Sequence, residues 1–238
     1  MAKVFQVDTG GTLTANLLAY YKLEDATDFW STNNLTNSGV SFVAAKVNNG
    51  ADCESTESDY LYGGDILDIT TGQFSFFCWV KVESFPANGW IVGKDHDTQG
   101  REYAFGVDST SKLNLQVAGV GSIADSNTAL STGTWYNVGV TFDDATNAVT
   151  YFLNGVADGT TTNSGALSNV TASFNVGRRS YTGYEGYFDG IIDELGIWGK
   201  ILSSTEITDL YNSGSGQTMV EQSTATSTNM SMDLLGIQ

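Results

Sequence analysis

Apolar and polar residues alternate in step with a pleated strand over most of this chain. In FSFFCWVKV, Phe74, Phe76, Cys78, Val80 and Val82 fall on one face, and Phe77 and Trp79 on the other. A period of two marks a ribbon whose side chains point to opposite sides in turn. Similar runs recur as VFQVD from Val4, VSFVAAKV from Val40, WIVG from Trp90, EYAFGV from Glu102, KLNLQVAG from Lys112, TWYNVGVTF from Thr134 and VTYFLNG from Val149. Asn154-Gly155 predicts a type I′ hairpin, because both residues accept a positive φ. With about a dozen such runs and no long amphipathic helix, the pattern predicts an all-β chain folded as a two-sheet antiparallel sandwich.

One stretch departs from plain alternation. In FDGIIDELGIWGKILSSTEITDLY, a strand with Ile191, Asp193, Leu195 and Ile197 expected on one face leads into one short helix. Ser203 as N-cap with Glu206 three residues on makes a capping box, Leu202 and Ile207 can staple the entry, and Asn212 to Gly214 stops the helix. An acid in an apolar row would cost several kcal/mol unpaired, so Asp193 needs a partner, and backbone N–H groups are one way to supply it.

These residues resemble the C-terminal signature of the laminin-G-like, concanavalin A-like jelly rolls, a Gly-x-Ile-Asp-Glu strand followed by a Leu-Ser-x-x-Glu-Ile helix start. LLAYYKLEDATD from Leu17 is similar to the family's opening strand and acidic loop, FSFFCWVKV to its central Trp strand, and TGTWYNVGVTFD with VTYFLNG to its late strand pair. The resemblance runs from about residue 17 to 212 and implies a jelly roll over 17–213, preceded by a strand and linker at 1–16 and followed by an arm at 214–238. It also implies a structural calcium ion held by Asp193, Asp28 and backbone carbonyls, with Asp25 or Glu24 as a weaker candidate. The glycosidases of this fold resemble one another in a Glu-x-Asp-x-x-Glu strand, whereas here Ile191 stands two residues before Asp193.

Composition narrows the function. Lys and Arg number 10 against 27 Asp and Glu, a formal net charge of −17, so a nucleic-acid backbone or an anionic membrane is repelled. No apolar run approaches the length needed to span a bilayer, and the first twenty residues lack a signal peptide's apolar stretch. Cys53 and Cys78 are expected as buried unpaired thiols. No Gly-x-Ser-x-Gly elbow is present, and the single histidine, His96, cannot build a zinc site alone.

The aromatic residues left over from the core face are candidates for ligand contact: Trp79, Trp135, and the loop RRSYTGYEGY with Arg178, Tyr181 and Tyr184. The tail is polar but ends in Met230, Met232, Leu234, Leu235 and Ile237, an apolar set suited to docking on a neighbouring subunit. Together these features lead to the expectation of a non-enzymatic attachment or assembly module on a virion surface or extracellular filament, with other protein subunits as partners. A carbohydrate-binding lectin with a glycan partner, and an atypical glycoside hydrolase, are the rival readings.

Overall fold

The computed structural model describes residues 1–118, 125–162, 165–181 and 186–222. Two antiparallel sheets face each other. One has six strands in the order β10 (Leu113–Val117), β9 (Gly100–Asp108), β8 (Asn88–His96), β14 (Phe174–Val176), β6 (Tyr60–Gly64) and β3 (Thr36–Ser38). The other runs β13 (Val156–Thr162), β12 (Ala148–Leu153), β11 (Trp135–Asp143), β7 (Gln73–Val82), β15 (Gly190–Trp198), β5 (Asn49–Cys53) and β4 (Ser41–Ala44), with β2 (Leu17–Tyr21) also pairing with β15. The non-consecutive strand orders are those of the expected jelly roll.

Alternation places the core. Phe74, Phe76, Cys78, Val80 and Val82 of β7 all point between the sheets, as their spacing predicts, and meet Tyr103, Phe105 and Val107 of β9. The Phe76 and Tyr103 rings lie 4.9 Å apart across the sandwich. Both thiols are buried and unpaired, Cys53 and Cys78 alike. Asn154 and Gly155, at φ 51° and 80°, make the hairpin between β12 and β13.

A second apolar layer covers the outer face of the eight-stranded sheet. Here β1 (Ala2–Phe5) pairs antiparallel with β16 (Met219–Gln222), Phe5 opposite Met219, to form a two-stranded strap. The strap packs with Leu202, Ile207 and Leu210, the last two from helix α1 (Ser204–Tyr211), onto Tyr20, Phe77 and Trp198. The capping box at Ser203 and Glu206 forms, and Asn212 ends the helix in the left-handed region at φ 45°. Leu202 and Ile207 are both buried in this layer. Residues 6–16 are fixed to the helix and β15: Thr9 donates to Asp209 from its amide (2.6 Å) and its hydroxyl (2.8 Å), and the Trp198 indole donates to Leu13 O (2.6 Å). The first part of the expected arm thus docks on its own chain as β16. Met230, Met232, Leu234, Leu235 and Ile237 lie outside the described residues.

Among the described residues no helix is long and apolar enough to cross a membrane. The strap is held mainly by Phe5, whose ring meets Tyr20 edge-on at 5.0 Å and stacks at 6.2 Å on Trp198. Phe5→Ala is expected to weaken strap docking by about 2–4 kcal/mol. Hydrogen exchange should then quicken at the strap amides while those of β7 keep their protection. Equal acceleration in both strands would show that strap and sandwich open as one unit.

Candidate functional site

The acidic residues expected to hold calcium come first. Strand β15 does not alternate through: its pairing with β7 shifts by one residue between Asp193 and Gly196, and Glu194 sits at φ 52°. That bulge reverses the parity of the strand. Ile192 faces the sandwich core before it, Leu195 and Ile197 after it. The expectation that Asp193 shares a face with Leu195 and Ile197 is therefore corrected; Asp193 pairs with Trp79 and points away from the core. It is fully buried all the same, and its Oδ2 accepts the Val47 amide at 2.7 Å.

Asp28 is likewise occupied by amides. Its Oδ1 accepts from Tyr20 N and Trp30 N (both 3.0 Å), and its Oδ2 from Asn33 N (3.3 Å). Asp25 closes a local turn on Thr27, from the amide at 2.8 Å and the hydroxyl at 2.6 Å. A hard cation needs converging oxygen acceptors, whereas both Asp28 oxygens, Asp25 Oδ1 and Asp193 Oδ2 already take N–H or O–H donors. Asp25, Asp28 and Asp193 are not among the acidic side chains that gather in threes within 4.8 Å, and with both its oxygens taken by amides Asp28 does not fit the calcium site that the resemblance implies. Among the described residues, Asp52, Glu54 and Glu83 alone form such a trio, at a partly exposed edge.

Glu194 lies under the strap, where it accepts the Tyr20 hydroxyl; Gln217, Asn137 and Trp79 line a small cavity beside it. Burial, reinforced by the Asp193 charge, pushes its carboxyl up to about 9. Burial pushes Asp193 up to about 7 against the opposing pull of its backbone N–H donors. Glu102, buried at one end of the sandwich near Lys94, is pushed up to about 7, again by burial.

The opposite outer surface, that of the six-stranded sheet, gathers a different chemistry. Tyr60 and Tyr62 flank the core residue Leu61 on β6 and so point outward, their rings 5.6 Å apart. The segment after β14 lies flat on this sheet because Gly93 leaves it room: a Cβ there would come within 2.8 Å of the Arg179 Cβ. Arg178 is thereby laid over Tyr60, with Cζ 3.4 Å from the ring centre. Arg179 lies 4.8 Å from the Trp90 ring and 5.6 Å from Tyr181, and donates to Gln116 at 2.9 Å. Asp95 neutralises it at 3.6 Å and also binds Arg101 at 2.9 Å. A cleft beside this pair is lined by His96, Arg101 and Tyr181.

All three arginines of the chain, Arg101, Arg178 and Arg179, thus stand on one face. Of the five expected ligand residues, the structure brings only Arg178 and Tyr181 to it. Trp79 is buried under α1, stacked at 5.8 Å on Tyr211. Trp135 lies on the outer side of the eight-stranded sheet, opposite Lys81, and Tyr184 is outside the described residues. Sequence reasoning missed Tyr60, Tyr62, Trp90 and Tyr187. The alternation Tyr60-Leu61-Tyr62 was the available signal, since it turns both phenols away from a buried leucine.

Glu102, Asp193 and Glu194 bind their protons more tightly folded than unfolded. The stability they control is full below the unfolded carboxylate range near pH 4 and falls as pH rises through 7 and toward 9. Glu194→Gln mimics the protonated acid, and by this linkage it is expected to stabilise the chain at pH 7 by about 2–4 kcal/mol. Melting curves from pH 4 to 9 should converge at the acid end and separate above it. Parallel curves would mean that Glu194 is charged in the folded chain.

Residues 55–208 match the family model for the concanavalin A-like lectin/glucanases superfamily. No curated protein matches the chain. Among solved structures it is similar to domain 4 of the extracellular GH43 arabinanase AbnA from Geobacillus stearothermophilus, a domain seen in complex with arabinotriose, with a TM-score of 0.67 and 20% identity over 82% of this chain and 97% of that one. It is also similar to the binding domain of Paraclostridial Mosquitocidal Protein 1, with a TM-score of 0.67 and 14% identity over 85% of this chain and 53% of that one. Trypanosoma rangeli sialidase gives a TM-score of 0.61 at 12% identity, covering 84% of this chain and 33% of that one. At these identities the structures speak for the fold, and with the family model matching well over half of its residues, the chain belongs to the concanavalin A-like lectin/glucanases superfamily.

Proposed function

We propose that this chain is a non-catalytic carbohydrate-binding module whose ligand surface is the outer face of the six-stranded sheet. The observation that carries the reading is the convergence of Arg101, Arg178 and Arg179 with Tyr60, Tyr62 and Tyr181 on one face of an otherwise acidic chain. Sugars present apolar C–H faces and hydroxyl edges, and rings with polar tips beside fixed hydrogen-bonding groups meet both needs. The arabinanase domain, seen with arabinotriose and matched over nearly its whole length, supports the reading through its fold.

Retaining or inverting glycoside chemistry needs two carboxyls facing a sugar in an open cleft. The adjacent pair Asp193 and Glu194 lies buried beneath the strap, and Asp95 is engaged by two arginines. Binding without turnover is the role this arrangement suits. Attachment at a virion or extracellular surface is compatible with it, since a glycan is what an attachment module would grip. The assembly reading depended on the apolar end of the tail, and the part of that arm which is described serves its own sandwich as β16.

Tyr62 is the natural probe, because the residue is 38% exposed and lies outside the core. Tyr62→Ala is expected to weaken oligosaccharide binding about five- to tenfold with an unchanged melting temperature. Calorimetric titration of both proteins with the same oligosaccharides reads this directly. Undiminished affinity in the variant would remove the face from consideration.

A further inference from the structure

Arg178 differs from the other two arginines. Arg101 and Arg179 share Asp95, but among the described residues no carboxylate lies within ion-pair distance of Arg178. Its guanidinium is nonetheless held in place. It is stacked on Tyr60, its Nε donates to Asn175 Oδ1 (3.3 Å) and its Nη1 to the Tyr187 hydroxyl (3.3 Å). Asn175 is oriented in turn by its own donation to Ser173 O and Ser180 Oγ, each at 2.8 Å. The Nη2 group donates to nothing among the described residues, and it is not among their buried unsatisfied atoms.

Among the described residues of a chain with 27 acidic side chains, this half-buried, immobilised guanidinium therefore meets no counter-charge. The open edge, Nη2 with the second hydrogen of Nη1, is the fork that pairs in parallel with a carboxylate. Because stacking and two hydrogen bonds already fix the fork, a ligand meets little ordering cost there. The exposed phenol of Tyr62, beside Tyr60, offers a surface for the ring that bears the carboxylate. The net charge of −17 weighs little at this fork, since exposed charges more than about 8 Å away are largely screened at physiological salt.

Resting on the glycan reading above, we propose that Arg178 selects carboxylate-bearing sugars, with the ligand's carboxylate paired to its open fork and the sugar ring over Tyr62. Uronates and sialates share this chemistry, and the test separates them. The full chain is titrated with a galacturonate oligomer, sialyllactose and neutral arabinotriose at one salt concentration, as wild type, Arg178→Gln and Arg178→Lys.

The expected result is a wild-type preference for one of the two acidic ligands over arabinotriose, and a loss of at least about tenfold for that ligand in both variants, since Lys keeps the charge but lacks the fork. Arabinotriose binding should move less than about threefold, which excludes a general collapse of the face. Should Arg178→Gln fold poorly, Arg178→Lys and the wild-type preference carry the same information. Equal or tighter binding of arabinotriose, unaffected by either variant, would overturn the acidic specificity while leaving a lectin. Binding of none of the three ligands would overturn both.

Discussion

The bulge at Glu194 is the constraint from which the rest of the architecture follows. Strand β15 pairs with β7 along one edge and with β5 and then β2 along the other, so it is the seam of the eight-stranded sheet. A strict alternation would aim one parity at the core along its whole length. By inserting one left-handed residue, the strand sends Ile192, Leu195 and Ile197 inward and still presents Trp198 outward to the strap layer. The strap and α1 have something to pack on because of that switch. Their presence consumes the outer surface of this sheet where Phe77, Trp79 and Trp198 would otherwise be open to a ligand.

The two outer faces therefore diverge in role. On one, Phe5, Met219 and Leu210 seal the aromatic residues against their own chain. On the other, outward side chains are Tyr60, Tyr62, Asn175, Gln116 and Asp95, with the segment carrying Arg178 and Arg179 laid across them. Among the described residues most side chains on that face are polar or amphipathic, and this is the condition for a wet, selective surface. The concentration of all three arginines matters more in this chain than in a neutral one. Guanidinium stacking survives there because Tyr60 and Trp90 supply π faces that a carboxylate-rich surface lacks.

The sandwich was legible because its signals are local and periodic. Phe74 to Val82, the Asn154-Gly155 turn and the Ser203-Glu206 box each state their conformation within a few residues. What alternation could not state was its own interruption. Nothing in IIDELGIW marks Glu194 as left-handed, since the bulge is fixed by pairing with β7 and β2, both distant in sequence. The same limit explains the aromatic assignments. Trp79 reads as outward, and it is, but only the fold reveals that Tyr211 and α1 cover it. The strands β3 and β14 are too brief to show a period, and on β6 the three residues Tyr60-Leu61-Tyr62 are the whole signal for two of the tyrosines on the proposed face.

The strap interface is also where polar satisfaction is poorest. Asn137 Oδ1, Asp193 Oδ1, Glu194 Oε1, Gln217 Nε2 and Thr218 Oγ1 are all buried there without a protein partner, while the acids are raised toward neutrality by the same burial. A layer so arranged holds by its apolar contacts, against its polar ones, and is expected to open before the sandwich core does. Opening it need not disturb the opposite face. The tie between them passes through the packed core from β7 and β15 to β8 and β14, and each of those strands keeps its neighbours when the strap departs. The face proposed to bind glycan is in this way insulated from the strap layer, so that binding and strap opening are expected to respond independently to pH.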